Sequence, residues 1–135
     1  MSQKKLRSKL EGKFEAILKD YKIEYGYEIT KIPYTVPESQ HTYLVDFTIL
    51  SGVLIECKGW LQDHAERRKY VLLKEQYPDL DLRFVFADPN KKCGGMKTTH
   101  AEWADRHGFR WCSINDKEQI LHWIKEKNSG IPTKG

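Results

Sequence analysis

The sequence predicts an α/β domain in which a mixed central β-sheet is flanked by helices. Segments with apolar residues at helical spacing alternate along the chain with short segments of β-forming residues. After residue 52 the order is strand, helix, strand, helix, strand, helix, which is typical of parallel neighbours joined by helices. The segments on either side of Gly52 instead have the pattern of an antiparallel hairpin, so the predicted sheet contains both orientations.

Length and composition limit the class of protein. A chain of 135 residues with 39% hydrophobic residues corresponds to one folded domain and not to a disordered chain. No apolar run reaches the roughly 20 residues that cross a bilayer, and residues 1–9 lack the apolar stretch of a signal peptide. We therefore expect a soluble, intracellular protein without a membrane partner. The net charge of +4 permits a nucleic-acid partner but does not establish one.

An odd number of cysteines in no zinc-type spacing indicates reduced thiols: Cys57, Cys93 and Cys112.

The first third of the chain contains one helix and one strand. Residues 8–21 form a predicted helix, because five apolar residues recur on one face: Leu10, Phe14, Ile17, Leu18 and Tyr21. Residues 24–32 have the alternation of a strand. Pro33 and Pro37 then interrupt regular structure, since proline cannot donate to a β-ladder, and residues 34–40 are predicted to be an extended connector.

Two arms of a hairpin follow, at residues 43–49 and 53–58. Their odd-numbered positions are apolar and predict one face packed on the core, whereas the other face holds Asp46, Glu56 and Lys58. A three-residue loop that ends with Gly52 in the left-handed region is a common hairpin connection. That register makes Asp46 and Glu56 cross-strand neighbours, with Lys58 one step along the same face.

The remaining elements are assigned from capping residues and periodicity. Asp63 is a predicted helix N-cap, Thr99 with Glu102 makes a capping box, and Asn115 with Glu118 repeats that pattern. In order, the elements are helix 63–77, strand 82–87, loop 88–97, helix 99–108, strand 109–113, helix 115–127 and a tail over 129–135.

The hairpin carries the residues with a chemical signature. Two carboxylates that face each other on a half-buried sheet are unfavourable unless a cation lies between them. A hard ion such as Mg²⁺ accepts carboxylate oxygens, polarises a phosphodiester and activates water, while a lysine orients that water or stabilises the developing charge. A surface ion pair between Glu56 and Lys58 is the competing interpretation. Apolar neighbours favour the buried, chemical one: Leu44, Leu54 and Trp60.

Other candidate residues have weaker signatures when taken alone. Glu11 has the pattern of an ordinary helix glutamate, and His41 that of a turn histidine within reach of a phosphate. The tryptophans are interpreted as core and interface residues rather than as a base-stacking platform: Trp60, Trp103, Trp111 and Trp123. Two basic clusters, which are usually solvated faces, favour nucleic-acid binding slightly: Lys4, Lys5, Arg7, Lys9 and Lys13, and then Arg67, Arg68 and Lys69.

Several separate blocks of the chain match one family in order. They are residues 10–13 (LEGK), 32–37 (IPYTVP), 41–43 (HTY), 46–47 (DF), 56–59 (ECKG), 67–69 (RRK) and 75–81 (EQYPDLD). Over roughly residues 7–126 the sequence resembles the endonuclease I of T-odd bacteriophages, a Holliday-junction resolvase with a restriction-endonuclease-like core. One departure is Val45, because the family usually has proline before the catalytic aspartate; proline is not a ligand, so activity should survive.

The resemblance implies roles for individual residues. Asp46, Glu56 and the main-chain carbonyl of Cys57 would bind Mg²⁺ or, in its place, Mn²⁺. Glu11 would complete a second metal site, and Lys58 would be the catalytic lysine. It also implies a domain-swapped homodimer and one nuclease domain over residues 1–135. The implied parts are a basic arm 1–7, a swapped helix and strand 8–32, a bridge 33–41, a catalytic core 42–128 and the tail 129–135.

The expected function is therefore a structure-selective endonuclease that resolves four-way and other branched DNA by metal-dependent hydrolysis in the cytoplasm of a bacterial host. Contacts to DNA phosphates are expected from seven residues: Lys4, Lys5, Arg7, His41, Arg67, Arg68 and Lys69. Two alternatives remain open at this stage. One is a nuclease of the same core that acts on linear or mismatched duplex, and the other is a non-catalytic basic DNA-binding protein.

Overall fold

The computed structural model of the chain describes residues 8–126, so the basic arm 1–7 and the tail 129–135 lie outside the described residues. The elements are α1 Lys9–Asp20, β1 Tyr25–Tyr27, β2 Lys31–Val36, β3 Ser39–Leu44, β4 Phe47–Ile49, β5 Leu54–Lys58, α2 His64–Gln76, β6 Leu82–Phe86, α3 His100–Arg106, β7 Arg110–Ser113 and α4 Lys117–Ile124. None of the helices in this part of the chain combines the length and apolar character that crossing a bilayer requires.

Five strands form the central sheet, in the order β1-β4-β5-β6-β7. The first three are antiparallel neighbours, and β5, β6 and β7 are parallel. The predicted mixed sheet is therefore confirmed. Because the parallel strands end together, the carboxyl ends of β5, β6 and β7 lie at one edge of the sheet, and the segments that follow these strands begin there.

Helices cover both faces of this sheet, and each face has its own core. Phe14 of α1 and Ile120 of α4 pack with Ile55 of β5 on one face. Tyr70 of α2 and other residues pack with Phe84 on the opposite face, where α3 also contributes. These side chains are fully buried, and burial of an aromatic or large aliphatic side chain contributes about 1.5–3 kcal/mol each. The strict alternation along β5 and β6 directs successive residues to different cores.

Most helix starts agree with the capping residues in the sequence. Ser8, Asp63 and Thr99 cap α1, α2 and α3, and the Thr99 capping box is confirmed. The start of α4 differs from the prediction, because Asp116 and not Asn115 is its N-cap. The Asn115 amide instead donates to the Ser113 hydroxyl at 3.0 Å, which places Asn115 in the preceding turn.

The extended connector predicted for residues 34–40 is wrong. β2 and β3 pair as an antiparallel hairpin in a separate two-stranded sheet, with Pro33 opposite Thr42. Both strands of a two-stranded sheet are edge strands. The nitrogen of a proline there, which has no N–H to donate, can therefore face the side without a neighbouring strand. The hairpin turns at Pro37 and Glu38, and Glu38 has a left-handed φ of 75°. The implied division of the chain into a swapped segment, bridge and core stays a prediction.

A change of partner between β3 and β4 corrects a second expectation. Val45 donates to the Thr30 carbonyl at 2.9 Å and Glu28 donates to the Asp46 carbonyl at 2.8 Å, so the chain passes from the small sheet into the large one here. The alternation predicted all odd positions on one face. Instead Tyr43 and Val45 pack in the core of α2 and α3, whereas Phe47 packs in the core of α1.

Candidate active site

The predicted register of the β4–β5 hairpin is confirmed. Phe47 pairs with Ile55, and the Ile49 amide donates to the Val53 carbonyl at 2.9 Å, which leaves a three-residue loop. Gly52 closes that loop with a φ of 98°, a conformation that favours glycine. Asp46 lies one residue before β4, at the level of Glu56.

Asp46 occupies the end of the β4–β5 ladder with its side chain. Its Oδ2 atom accepts a hydrogen bond of 2.9 Å from the amide of Cys57, where a further ladder bond would otherwise lie. Asp46 is only 6% exposed, so its carboxyl group has a nearly fixed position. One oxygen is thus engaged with the backbone, and the other is available to a ligand.

Glu56 is fixed by two side chains from different elements. The Tyr43 hydroxyl, from the end of β3, donates to its Oε1 atom, and the Lys58 ammonium lies 3.4 Å from its Oε2 atom. Burial, and then the charge of Glu56, raise the pKa of Tyr43 well above its usual value, so this phenol stays protonated and can donate. Glu56 itself is 5% exposed, which confirms the buried setting that its apolar neighbours indicated.

Lys58 is shared between two carboxylates. Its ammonium is 2.5 Å from Oε2 of Glu66, closer than to Glu56, and Glu66 belongs to the first turn of α2. Burial lowers the pKa of Lys58, but the charges and hydrogen bond of Glu56 and Glu66 outweigh burial and raise it. Lys58 is therefore a cation at neutral pH.

Glu11 joins this centre from α1 of the same chain. It is 5% exposed, and the Tyr27 hydroxyl donates to its Oε1 atom at 2.8 Å. Its negative charge raises the pKa of Asp46. Glu11, Asp46, Glu56 and Lys58 are therefore near enough for the charges of the other three to shift the pKa of Asp46.

Crowding of negative charge is the main electrostatic property of the site. Burial raises the pKa of Asp46 to about 8, with further contributions from the charges of Glu56 and Glu11, against the lowering effects of the Cys57 hydrogen bond and Lys58. Burial, followed by the three carboxylates, also raises the pKa of the Cys57 thiol well above its usual value. That thiol stays neutral, so only the main chain of Cys57 is suited to bind a cation.

The donor set fits a hard divalent cation that retains water. Within residues 8–126, no three His, Cys, Asp or Glu side chains already converge as a closed metal cluster. Asp46 and Glu56 would therefore hold an ion together with a main-chain carbonyl and solvent, which is how Mg²⁺ usually binds. Tyr70 is buried close to Glu56, and burial, followed by the charge of Glu56, raises the pKa of its hydroxyl well above the usual value, so this phenol stays protonated.

Some of the predicted DNA contacts meet in a groove beside this centre. His41, Arg68 and Lys69 line a cavity of about 420 Å³ between the β2–β3 hairpin and α2, where Glu66 also lies. The Lys69 ammonium lies 4.7 Å from the centre of the Tyr70 ring, and burial lowers its pKa. Arg67 lies elsewhere, because its guanidinium is buried and donates to the Leu61 carbonyl at 3.1 Å. The predicted contacts at Lys4, Lys5 and Arg7 lie outside the described residues.

Known proteins have a similar sequence. The phage endonuclease I family matches residues 1–135. The chain belongs to this family. Endodeoxyribonuclease 1 of Enterobacteria phage T3 is 39% identical over 127 residues, which covers 93% of this chain and 81% of the relative. Endonuclease I of Escherichia phage T7 is 38% identical over 127 residues, which covers 93% of this chain and 83% of the relative. The family resemblance drawn from the sequence motifs is thereby confirmed.

The sequence pattern does not identify two residues that position this centre. The alternation of apolar residues predicts Tyr43 in the core, but nothing local indicates a role for its hydroxyl, because the partner Glu56 lies thirteen residues on. Glu66 was not singled out. Its position three residues after the Asp63 N-cap was visible, but only the fold shows that this first turn of α2 reaches Lys58.

Proposed function

We propose that the chain is a Mg²⁺-dependent endonuclease that resolves four-way and other branched DNA junctions. The observation that carries the proposal is the convergence of Asp46, Glu56 and Lys58 at one buried point beside a groove that Arg68 and Lys69 line. Membership of the phage endonuclease I family, with relatives named as endonucleases, supports the nuclease activity.

Each residue has a defined part in the proposed hydrolysis. When bound, Mg²⁺, or Mn²⁺ in its place, polarises the scissile phosphodiester and lowers the pKa of water. Asp46 and Glu56 supply the anionic oxygens, and the Cys57 amide and Tyr43 hydroxyl hold those oxygens in position. Lys58, a cation beside Glu56, stabilises the negative charge that develops on the phosphate.

Shape rather than base sequence would select the DNA. His41, Arg68 and Lys69 line the groove and suit phosphate contacts, which position a protein on DNA without reading bases. A homodimer would present two such centres to the two strands that a symmetric resolution must cut. Such an enzyme would act on phage or host DNA in the bacterial cytoplasm.

Cleavage of an end-labelled four-way junction tests the proposal. The wild type is compared with Asp46→Asn and with Asp79→Asn, an exposed aspartate in the loop before β6, at the opposite edge of the sheet. The isolated arms serve as linear substrates in the same salt, and binding is measured separately in EDTA. Mass from light scattering reports the oligomeric state of each variant.

We expect the wild type and Asp79→Asn to cut the junction near its branch point in Mg²⁺ and to leave the linear arms largely intact. Asp46→Asn should bind the junction without cutting it. Equal cleavage of the arms would favour the alternative nuclease of linear duplex. A wild type that binds but never cuts, in Mg²⁺ or Mn²⁺, would favour the non-catalytic DNA-binding protein.

A further inference from the structure

Trp60 differs from the two fully buried tryptophans in its exposure. Trp103 and Trp123 are each 2% exposed and belong to the two cores. Trp60 is 42% exposed and belongs to neither core cluster. Its exposed indole surface is therefore accessible to a binding partner.

Trp60 is exposed, but its orientation is fixed. Its indole N–H donates to the Lys92 carbonyl at 3.2 Å, and the Lys91 ammonium lies 4.9 Å from the ring centre. The loop that supplies these lysines is held against the chain after β5, since the Gly94 amide donates to the Leu61 carbonyl at 2.9 Å. A side chain at Gly94 would start 1.7 Å from the Gln62 carbonyl oxygen, so the two segments are in close backbone contact.

The position of this ring relates it to the active site. Trp60 follows Lys58 by two residues, and the loop 88–99 leaves the carboxyl end of the neighbouring parallel strand β6. Both segments therefore begin at the sheet edge where Lys58 lies. DNA whose scissile phosphate reaches Lys58 would pass close to Trp60.

The charge beside the ring suits a polyanion. Lys91, Lys92 and Lys97 are exposed, and no salt bridge to any of them is found within residues 8–126. An aromatic ring held next to unpaired lysines is the combination by which proteins bind the bases and the backbone of an unpaired or splayed strand. The alternative is that Trp60 only covers the loop 88–99.

We propose that Trp60 is a stacking platform for a base, or an end base pair, that is exposed at the branch point, with Lys91 and Lys92 on the adjoining phosphates. The inference rests on the proposed function for its partner, branched DNA, and adds a residue that recognises the branch. A continuous duplex has no unstacked base to offer and would gain only from the lysines.

Binding in EDTA, where no cleavage occurs, tests the platform. The variants are Trp60→Ala, Trp60→Phe, the Lys91→Ala/Lys92→Ala pair and, as a matched control, Lys74→Ala. Lys74 also lies over an aromatic ring, 5.5 Å from the centre of Phe109, but at the far edge of the sheet. Affinity is measured for a four-way junction and for a continuous duplex at several salt concentrations, and tryptophan emission is recorded during titration.

Trp60→Ala should weaken junction binding on the order of tenfold and duplex binding much less, since a stacked base contributes about that factor. Trp60→Phe keeps an aromatic face but loses the indole N–H, so it should stay close to the wild type while losing the emission change on binding. The double lysine variant should weaken both DNAs and reduce the salt slope by about 2, and Lys74→Ala should change neither.

Three results would overturn the platform. They are junction affinity of Trp60→Ala within twofold of the wild type, equal losses for junction and duplex, or a Trp60→Phe as weak as Trp60→Ala. The last would show that the bond to Lys92, and hence loop position, is what matters. Failure of the proposed function looks different, because the wild type would then leave the junction uncut in Mg²⁺ whatever residue occupies position 60.

Discussion

Asp46 should lower the stability of the metal-free protein while being essential for its activity. Its pKa rises from 3.8 to about 8 in the folded chain, mainly through burial and then through the charge of Glu56. The folded state thus binds a proton more tightly than the unfolded state, so stability falls as the pH rises from about 4 to 8. Asp46→Asn removes this ionisation and keeps an oxygen that can accept from Cys57.

The size of the effect follows from the same pKa. At 1.36 kcal/mol for each pH unit above the unfolded value of 3.8, keeping this carboxyl protonated in the folded chain lowers its stability by about 5 kcal/mol at pH 7.5. Relaxation and water entry reduce such penalties in proteins. We therefore expect Asp46→Asn to raise the free energy of unfolding at pH 7.5 by about 2–4 kcal/mol, and by much less near pH 4.

Urea unfolding of the wild type and Asp46→Asn at pH 5 and pH 8, in EDTA, measures this difference. Subtracting the two proteins cancels the other groups that titrate in this range, such as His100. Asp79→Asn controls for the loss of one surface charge. Added Mg²⁺ should stabilise the wild type and leave Asp46→Asn unchanged. If Asp46→Asn is no more stable than the wild type at pH 8, the carboxylates are not crowded as described.

Three further substitutions test other parts of the structure. Lys58→Met should slow single-turnover junction cleavage on the order of a hundredfold, because it removes the cation beside the reacting phosphate. It should leave junction binding nearly unchanged, and an equal loss of binding would contradict that role. Gly94→Ala should lower the free energy of unfolding in urea by about 1–3 kcal/mol, since its Cβ would lie 1.7 Å from the Gln62 carbonyl oxygen. Unchanged stability would show that the loop 88–99 is not held against Gln62. Arg83→Met should cost about 1–3 kcal/mol in the same assay, because Arg83 is buried and bonded to Asp81 and Glu126; a neutral result would mean that better packing offsets the lost ion pairs.

Local rules were sufficient to predict the geometry of the β4–β5 hairpin. Apolar residues occupy the odd positions of both arms, so only registers that pair odd positions with odd positions keep them on one face. Gly52 favours the three-residue loop among these registers. Asp46 and Glu56 had to face each other once these two facts were combined. The family resemblance then supplied Glu11, whose own pattern was that of any helix glutamate.

Long-range contacts explain what the sequence did not predict. Every odd-numbered position from 43 to 49 is apolar, so nothing local shows that the chain changes sheets at Asp46. Pro33 is compatible with a strand only because β2 is an edge, and the edge depends on the whole topology. Glu66 reaches Lys58 through the placement of α2, which is a result of core packing and not of sequence spacing.

The change of sheets at Asp46 also limits how the chain can vary in length. Tyr43 contacts Glu56 because it lies three residues before Asp46, at the point where the chain enters the large sheet. A one-residue insertion or deletion between them would turn the phenol away from the carboxylate. The turn at residues 37–38 can grow without altering any side chain at the active site. Over evolutionary time, insertions and deletions among related phage enzymes should therefore accumulate at that turn and be absent between positions 43 and 46.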